Sequence, residues 1–595
     1  VLALNGLQFI LRNEGPLKKA FASFVAFFRN LFSRAVTDAE SQGFSRGLIM
    51  RIIATSLLLA TICCVCVTAQ NEKASQRPPD LSLTAIGRQH HAIDTKSKEA
   101  QDYFDQGLTF IYGFNHEEAQ RAFQRAADLD PSSSMPLWGI AMAVGPNYNS
   151  DVDAERENLA FDTIQKAQKL SEHAAVAERD YVETLAARYS GEAKPDYPQL
   201  ARNYATAMKA LSAKYPDDLD AATLYAESLM DLNPWKLWSH DGQPAENTGE
   251  IVRVLEFVLA RDPNHAGANH FYIHAVEASP APERALPSAH RLDTMIPQAG
   301  HLVHMPAHIY LRTGDYAAAV KANEEAAKAD RAYARKADQE GSMYDLMYHS
   351  HNEHFLAAAA CMEGRYAVAK AAADGMATRL IPHAKTMPML DLFIFSPLWV
   401  DVRFNQWDAI LAKPEPLKEL PATHVMWRYA RTQALAARGE KEKAAAERKL
   451  FAAEVAAIPA NASMGEFNSS KDLLNLASQI LDARIAMARG SKDEAVSHWQ
   501  KAVEMQDALR YHEPPDWYYP VRESLGAALL AAGKPTDAEQ IFRQDLQRNP
   551  RNPRSLFGLM HSLKAQQKDA DAAWVESQFN SAWKNADTTL DLATL

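Results

Sequence analysis

Cysteine is scarce in this chain: four occur in 595 residues, and three of them, Cys63, Cys64 and Cys66, crowd into one apolar run near the amino end. If that run is removed, only Cys361 remains, which excludes an intrachain disulfide. Blocks of like charge are also missing. The formal net charge of −11 is modest for the length, so there is no electrostatic footprint for nucleic acid. No Gly-rich phosphate loop, nucleophile elbow or haem-attachment motif is found, and strand-like alternation is nearly absent. What is present, 47% hydrophobic and 23% charged residues, suits a soluble protein with a large core.

The run itself, "MRIIATSLLLATICCVCVTAQ" from Met50, has a basic start, a continuous apolar stretch and then Val67-Thr68-Ala69 before Gln70. It is short for a membrane span and reads as a signal peptide over 50–69, cleaved after Ala69, which implies a periplasmic or secreted protein. Lipidation at Cys63 or Cys64 is the rival; Ile62 or Cys63 immediately before the modified residue fits it poorly. The only membrane contact expected is through this signal or such a lipid. Residues 1–49 are most simply an extension from an upstream start that the cell does not use, although "FASFVAFFRNLF" has amphipathic character. Residues 70–96 read as a polar linker.

From residue 97 to 595 nearly every segment is Ala-rich with apolar residues at helical spacing, and Gly or Pro marks the ends. "QGLTFIYGFNHEEAQRAFQRAADLDP" places Gly107, Phe110, Ala119, Phe123, Ala126 and Pro131 at the small-and-large spacing of a tetratricopeptide repeat. The frame recurs at Gly526, Ala538, Phe542 and Pro550, with partial matches around Ala319, Ala369, Ala444 and Ala495. The fold class expected is all-α, a tetratricopeptide-like α-solenoid built as a superhelix of helical hairpins.

Half of the twenty histidines lie between His265 and His354. Counted back from Ala319, "GHLVHMPAHIYLRTGDYAAA" puts His301, His304 and His308 at the second, fifth and ninth places of a first helix. The neighbouring repeats put His270, His274 and Glu277 at the fifth, ninth and twelfth places, and His351 and His354 at the second and fifth. Spacings of three and four share a helical face. Pro306 complicates this, because a kink there moves His301 off the stripe if the helix begins near Met305. Met305 itself points away from the stripe.

"YGFNHEEA", "PLWGIAMAVGPN", "GANHFYIHAVEAS", "AGHLVHMPAHIYLRTGDY", "HNEHF" and "PPDWYYPVRESLGAALL" together resemble a group of large, often exported bacterial tetratricopeptide-repeat proteins, over roughly residues 97–565. The resemblance implies a fold and no particular reaction. It also implies that the second, fifth and ninth places line a concave groove, centred here on 265–354. Such imidazoles suit a transition metal, zinc, copper or iron, held by a subset of His270, His274, His301, His304, His308, His351 and His354. Glu277 is then a ligand or a catalytic general base, and a metal-dependent enzyme is conceivable. The alternative is a metal-free interaction scaffold gripping an extended peptide, protein or small ligand. Export with cleavage after Ala69 predicts a mature chain starting at Gln70, checked by intact mass and amino-terminal sequencing of the exported fraction.

Overall fold

The computed structural model describes residues 89–595 except 338, 459–463 and 466. The extension, the signal run and linker residues 70–88 lie outside the described residues. Linker residues 89–96 are pinned to the repeats: Gln89 Nε2–H donates to Asp220 Oδ1 at 2.8 Å, and His91 Nδ1 lies 2.9 Å from Asp220 Oδ2.

Helices follow one another in antiparallel hairpins: α1 (Lys98–Tyr112), α2 (His116–Leu129), α3 (Met135–Val144), α4 (Ala154–Ser171), α5 (Val176–Ala186), α6 (Tyr197–Lys214), α7 (Leu219–Met230) and α8 (Thr248–Arg261). The central set is α9 (Ala266–Val276), α10 (Leu286–Met295), α11 (Gly300–His304), α12 (Pro306–Thr313), α13 (Tyr316–Ala337), α14 (Ser350–Glu363) and α15 (Tyr366–Leu380). Two short helices, α16 (Asp391–Ile394) and α17 (Ser396–Arg403), then α18 (Trp407–Ala412), lead to α19 (Pro421–Ala437), α20 (Lys441–Ala457), α21 (Ser470–Arg489) and α22 (Lys492–Asp507). The last are α23 (Val521–Ala531), α24 (Pro535–Arg548), α25 (Pro553–Ala565) and α26 (Asp569–Ala582). Among the described residues the only β-type pairings are isolated bridges, so the architecture is an all-α solenoid. No described helix is long and apolar enough to cross a membrane.

The seam between hairpins follows from side-chain size. Phe123 of α2 is fully buried between α1 and α3, and a Cβ placed on Gly107 would come 2.6 Å from its ring; Gly139 is equally tight. Phe542 of α24 repeats this against Gly526 and Gly558. Glycine lets each backbone approach the ring, and the ring fills the seam.

The winding brings later hairpins back onto the central ones. Tyr316 donates its hydroxyl to the Pro550 carbonyl at 3.1 Å, Arg551 Nη2–H donates to the Thr313 carbonyl at 3.1 Å, and the Arg312 guanidinium lies 5.4 Å from the centre of the Tyr511 ring. Buried Arg403 clasps Glu523, which also accepts from Asn552 Nδ2–H at 2.8 Å. Cys361 is buried, and burial pushes its thiol up to about 12.

Gly526→Val forces two methyl groups into the Phe542 seam, and urea unfolding should show a loss of about 3 kcal/mol. Combined with Phe542→Ala, which vacates the seam, the losses should be clearly less than additive.

Candidate functional site: a buried histidine chamber

Three successive first helices supply the imidazoles. α9 carries His270 and His274, with Glu277 at its carboxyl end; α11 carries His301 and His304; α12 carries His308; α14 carries His351 and His354. The chain passes from α11 to α12 through Met305 in right-handed helical conformation (φ −52°, ψ −36°), and Met305 N–H still donates to the His301 carbonyl at 3.1 Å. Pro306 therefore opens a second helix segment without turning His301 off the shared face. Met305 is buried in the apolar core, as expected.

Among the described residues the histidines do not line the open groove expected of them; they are buried. His270, His274, His301, His304 and His308 are no more than 3% exposed, and His351 is half-buried. Aromatic rings close the space. Phe114, in the α1–α2 turn, lies 4.5 Å from His270 and 5.5 Å from His301, centre to centre. Tyr148 and Trp235, from the loops after α3 and α7, lie 5.5 and 5.4 Å from His274. Phe355 packs 4.8 Å from both His304 and His308. Phe114 and Trp235 hold left-handed backbones (φ 55° and 59°), a conformation that costs a bulky side chain about 1–2 kcal/mol and persists where packing enforces it.

The structure brings six histidines into two groups and leaves one out. His270, His274 and His301 place one ring nitrogen each within 4.8 Å of the others, and so do His304, His308 and His351. The groups touch: His301 and His304 are 5.8 Å apart, and His274 and His308 5.6 Å, centre to centre. His354 belongs to neither; its ring meets Phe393 edge-on at 5.5 Å.

Within the groups most rings are held by Nδ1. His270 Nδ1–H donates to the Tyr112 carbonyl at 2.6 Å. His304 Nδ1–H donates to Asn323 Oδ1 at 2.6 Å, and the amide is oriented because its Nδ2–H donates to the Ala319 carbonyl at 2.8 Å. Glu277 spans both groups, one oxygen 2.9 Å from His274 Nδ1 and the other accepting from His308 Nδ1–H. With Nδ1 carrying the hydrogen, Nε2 of His270, His274, His304 and His308 presents a lone pair. His304 Nε2 and His308 Nε2 are 2.8 Å apart, and His301 Nε2 is 3.1 Å from His270 Nε2. His274 Nε2 is buried without a hydrogen-bond partner.

Burial, reinforced by neighbouring imidazoles, holds His270, His301 and His304 well below the ordinary imidazole value. Burial also lowers His308, against the pull of Glu277. For Glu277 burial works against the charged form, but His308 and His274 outweigh it and keep the carboxyl below its usual range.

A cavity of about 400 Å³ reaches the chamber from outside, with Tyr148, Trp235, His274, Glu277 and Tyr511 in its wall. The residues that sequence reasoning missed are Asn323, Phe114, Phe355 and the Tyr112 carbonyl. Asn323 lies four residues after Ala319, one helical turn along α13, where it was readable as a polar residue on a packed face.

The class of protein is thus an α-solenoid of tetratricopeptide-type hairpins with a buried histidine chamber. Residues 303–333, the hairpin that carries His304 and His308, match the tetratricopeptide repeat model. No curated protein matches the chain. Among solved structures, the human IFIT1 dimer with m7Gppp-AAAA is similar over 85% of this chain and 95% of its own, at 13% identity and a TM-score of 0.28. Yeast Tom70 covers 81% of this chain and 100% of its own, at 12% identity and 0.32; the P58(IPK) TPR domain covers 79% and 98%, at 12% and 0.22. Likenesses this distant carry no argument about what the chain binds.

Glu277→Gln puts an amide NH₂ against one of the two Nδ1–H groups. In chelator-treated protein the unfolding free energy, measured in urea, should fall by about 1–3 kcal/mol.

Proposed function

We propose that the chain is a metal-binding tetratricopeptide solenoid whose chamber holds a transition-metal centre. The observation that carries this reading is the 2.8 Å approach of His304 Nε2 to His308 Nε2, both rings having committed Nδ1–H elsewhere. Two lone pairs at that separation repel, and a cation bound by both converts the repulsion into attraction. Imidazole nitrogens ligate zinc at about 2.0–2.1 Å, so two ligands of one ion naturally lie about 3 Å apart.

The carbonyl, amide and carboxylate behind the rings are the outer layer that orients metal-binding histidines. Both Glu277 oxygens are taken up in that layer, which supports an orienting role over that of ligand or general base. An extended peptide has no access to rings this deeply buried, whereas a small molecule reaches His274 through the 400 Å³ cavity. The same centre serves an exported protein if the run from Met50 acts as its signal. A scaffold role on other surfaces is compatible. It is favoured by a cavity of about 960 Å³ along α13 and α15, walled by Glu324, Arg331, Arg335 and Arg379.

The protein, purified without an affinity-histidine tag and without added metal or chelator, is expected to carry about one or two equivalents of one transition metal by inductively coupled plasma mass spectrometry. Replacing His274, His304 and His308 together by Ala should abolish it while circular dichroism stays helical. Unchanged metal in that folded variant would sink the chamber as the centre.

A further inference from the structure

The connection between α7 and α8, residues 231–247, is a long insertion that folds back on itself. Ser239 N–H donates to the Gln243 carbonyl and Ala245 N–H to the Leu237 carbonyl, both at 2.9 Å, and the Thr248 hydroxyl donates to the Leu237 carbonyl at 2.7 Å. This insertion builds one wall of the 400 Å³ cavity that leads to His274, with Trp235 and Trp238 in its lining. Tyr148, from the loop after α3, and Tyr511, from the loop after α22, complete the aromatic lining. The Trp235 and Tyr148 rings lie 5.2 Å apart at 31°, and Trp238 is oriented because its Nε1–H donates to the Ala275 carbonyl at 2.7 Å. Aromatic walls suit a flat apolar body, and side chains already held in place lose little freedom when one enters.

Charge in this cavity is one-sided. Lys236 and Arg510 line it, both are exposed, and neither head group has an ion-pair or hydrogen-bond partner among the described residues. Glu277 is the only carboxylate among the described lining residues, and both of its oxygens are engaged by His274 and His308. The exposed rim therefore favours an anion. At the deep end stands His274, whose Nδ1 meets Glu277 and whose Nε2 is buried without a hydrogen-bond partner. A buried acceptor left alone is costly, so a ligand that brings it a donor supplies a contact the empty cavity lacks.

We infer that the cavity binds a small phenolic carboxylate, its carboxylate at Lys236 and Arg510, its ring among the four aromatic side chains, and its hydroxyl donating to His274 Nε2. The inference takes up the small-molecule route to His274 described above and adds the class of the molecule. It concerns the metal-free cavity, so it stands apart from the metal reading.

The test is isothermal titration calorimetry on chelator-treated protein whose helicity is checked by circular dichroism, while metal is measured separately on untreated protein. Three probes share one ring: para-hydroxyphenylacetate, phenylacetate, which lacks the hydroxyl, and tyramine, which carries an ammonium in place of the carboxylate. The first should bind about tenfold or more tightly than either of the others. Lys236→Gln combined with Arg510→Gln changes only exposed side chains; it should weaken para-hydroxyphenylacetate about tenfold and remove most of the salt dependence of its binding. Tyramine binding as tightly as para-hydroxyphenylacetate would overturn the anionic class, and phenylacetate binding equally well would overturn the contact with His274. Full affinity in the double variant would place the site elsewhere. If stripping the metal unfolds the chain, the comparison of carboxylate with ammonium in untreated protein decides. Binding of none of the probes would remove this inference and leave the metal measurement untouched; absent metal with the expected order of probes would do the reverse.

Discussion

An imidazole taken out of water has two ring nitrogens to satisfy, and this structure removes five of them from water at once. One nitrogen of each ring can donate and the other can only accept while the ring is neutral. The Glu277 carboxylate settles the question for two rings, fixing Nδ1 of His274 and of His308 from its two oxygens. Asn323 and the Tyr112 carbonyl settle it for His304 and His270. An ionised carboxylate this deeply buried is itself costly unless paired and hydrogen-bonded, so the rings and the carboxylate hold each other in place. The lone pairs that these four rings direct inward are a consequence of these outer contacts.

The solenoid supplies what a single hairpin does not. A helical pair of histidines four residues apart meets on one turn, but a third ring must come from another helix, and only the stacking of successive repeats puts one there. The return of the later hairpins does the rest. Trp235, which leans on His274, also packs 5.3 Å from Phe467 and 6.3 Å from His512, so the wall of the chamber joins loops more than two hundred residues apart.

Much of this was legible in the sequence, for a physical reason. Helical periodicity and the glycine–aromatic seams around Phe123 and Phe542 depend on local spacing, and local spacing survives into the fold. The sharing of a face by His270 with His274, and by His304 with His308, is equally local. Burial was not legible, because it is imposed by Phe114, Tyr148 and Trp235 from loops whose positions depend on how the superhelix closes. Nor was the separation of His354 from the stripe, although the absence of a histidine at 358 was the available signal. Glu277 was visible as a residue on the right face; that both of its oxygens point outward to Nδ1 atoms follows from the register of α9 against α12, which spacing alone does not report.

Tandem arrays ordinarily gain and lose units with little penalty, since each contacts only its neighbours. Here three consecutive units contribute histidines to shared groups across both of their junctions. Duplicating or deleting one hairpin between Ala266 and Glu363 would separate His301 from its pair or His351 from its own. The copy number of the middle of this array is therefore locked.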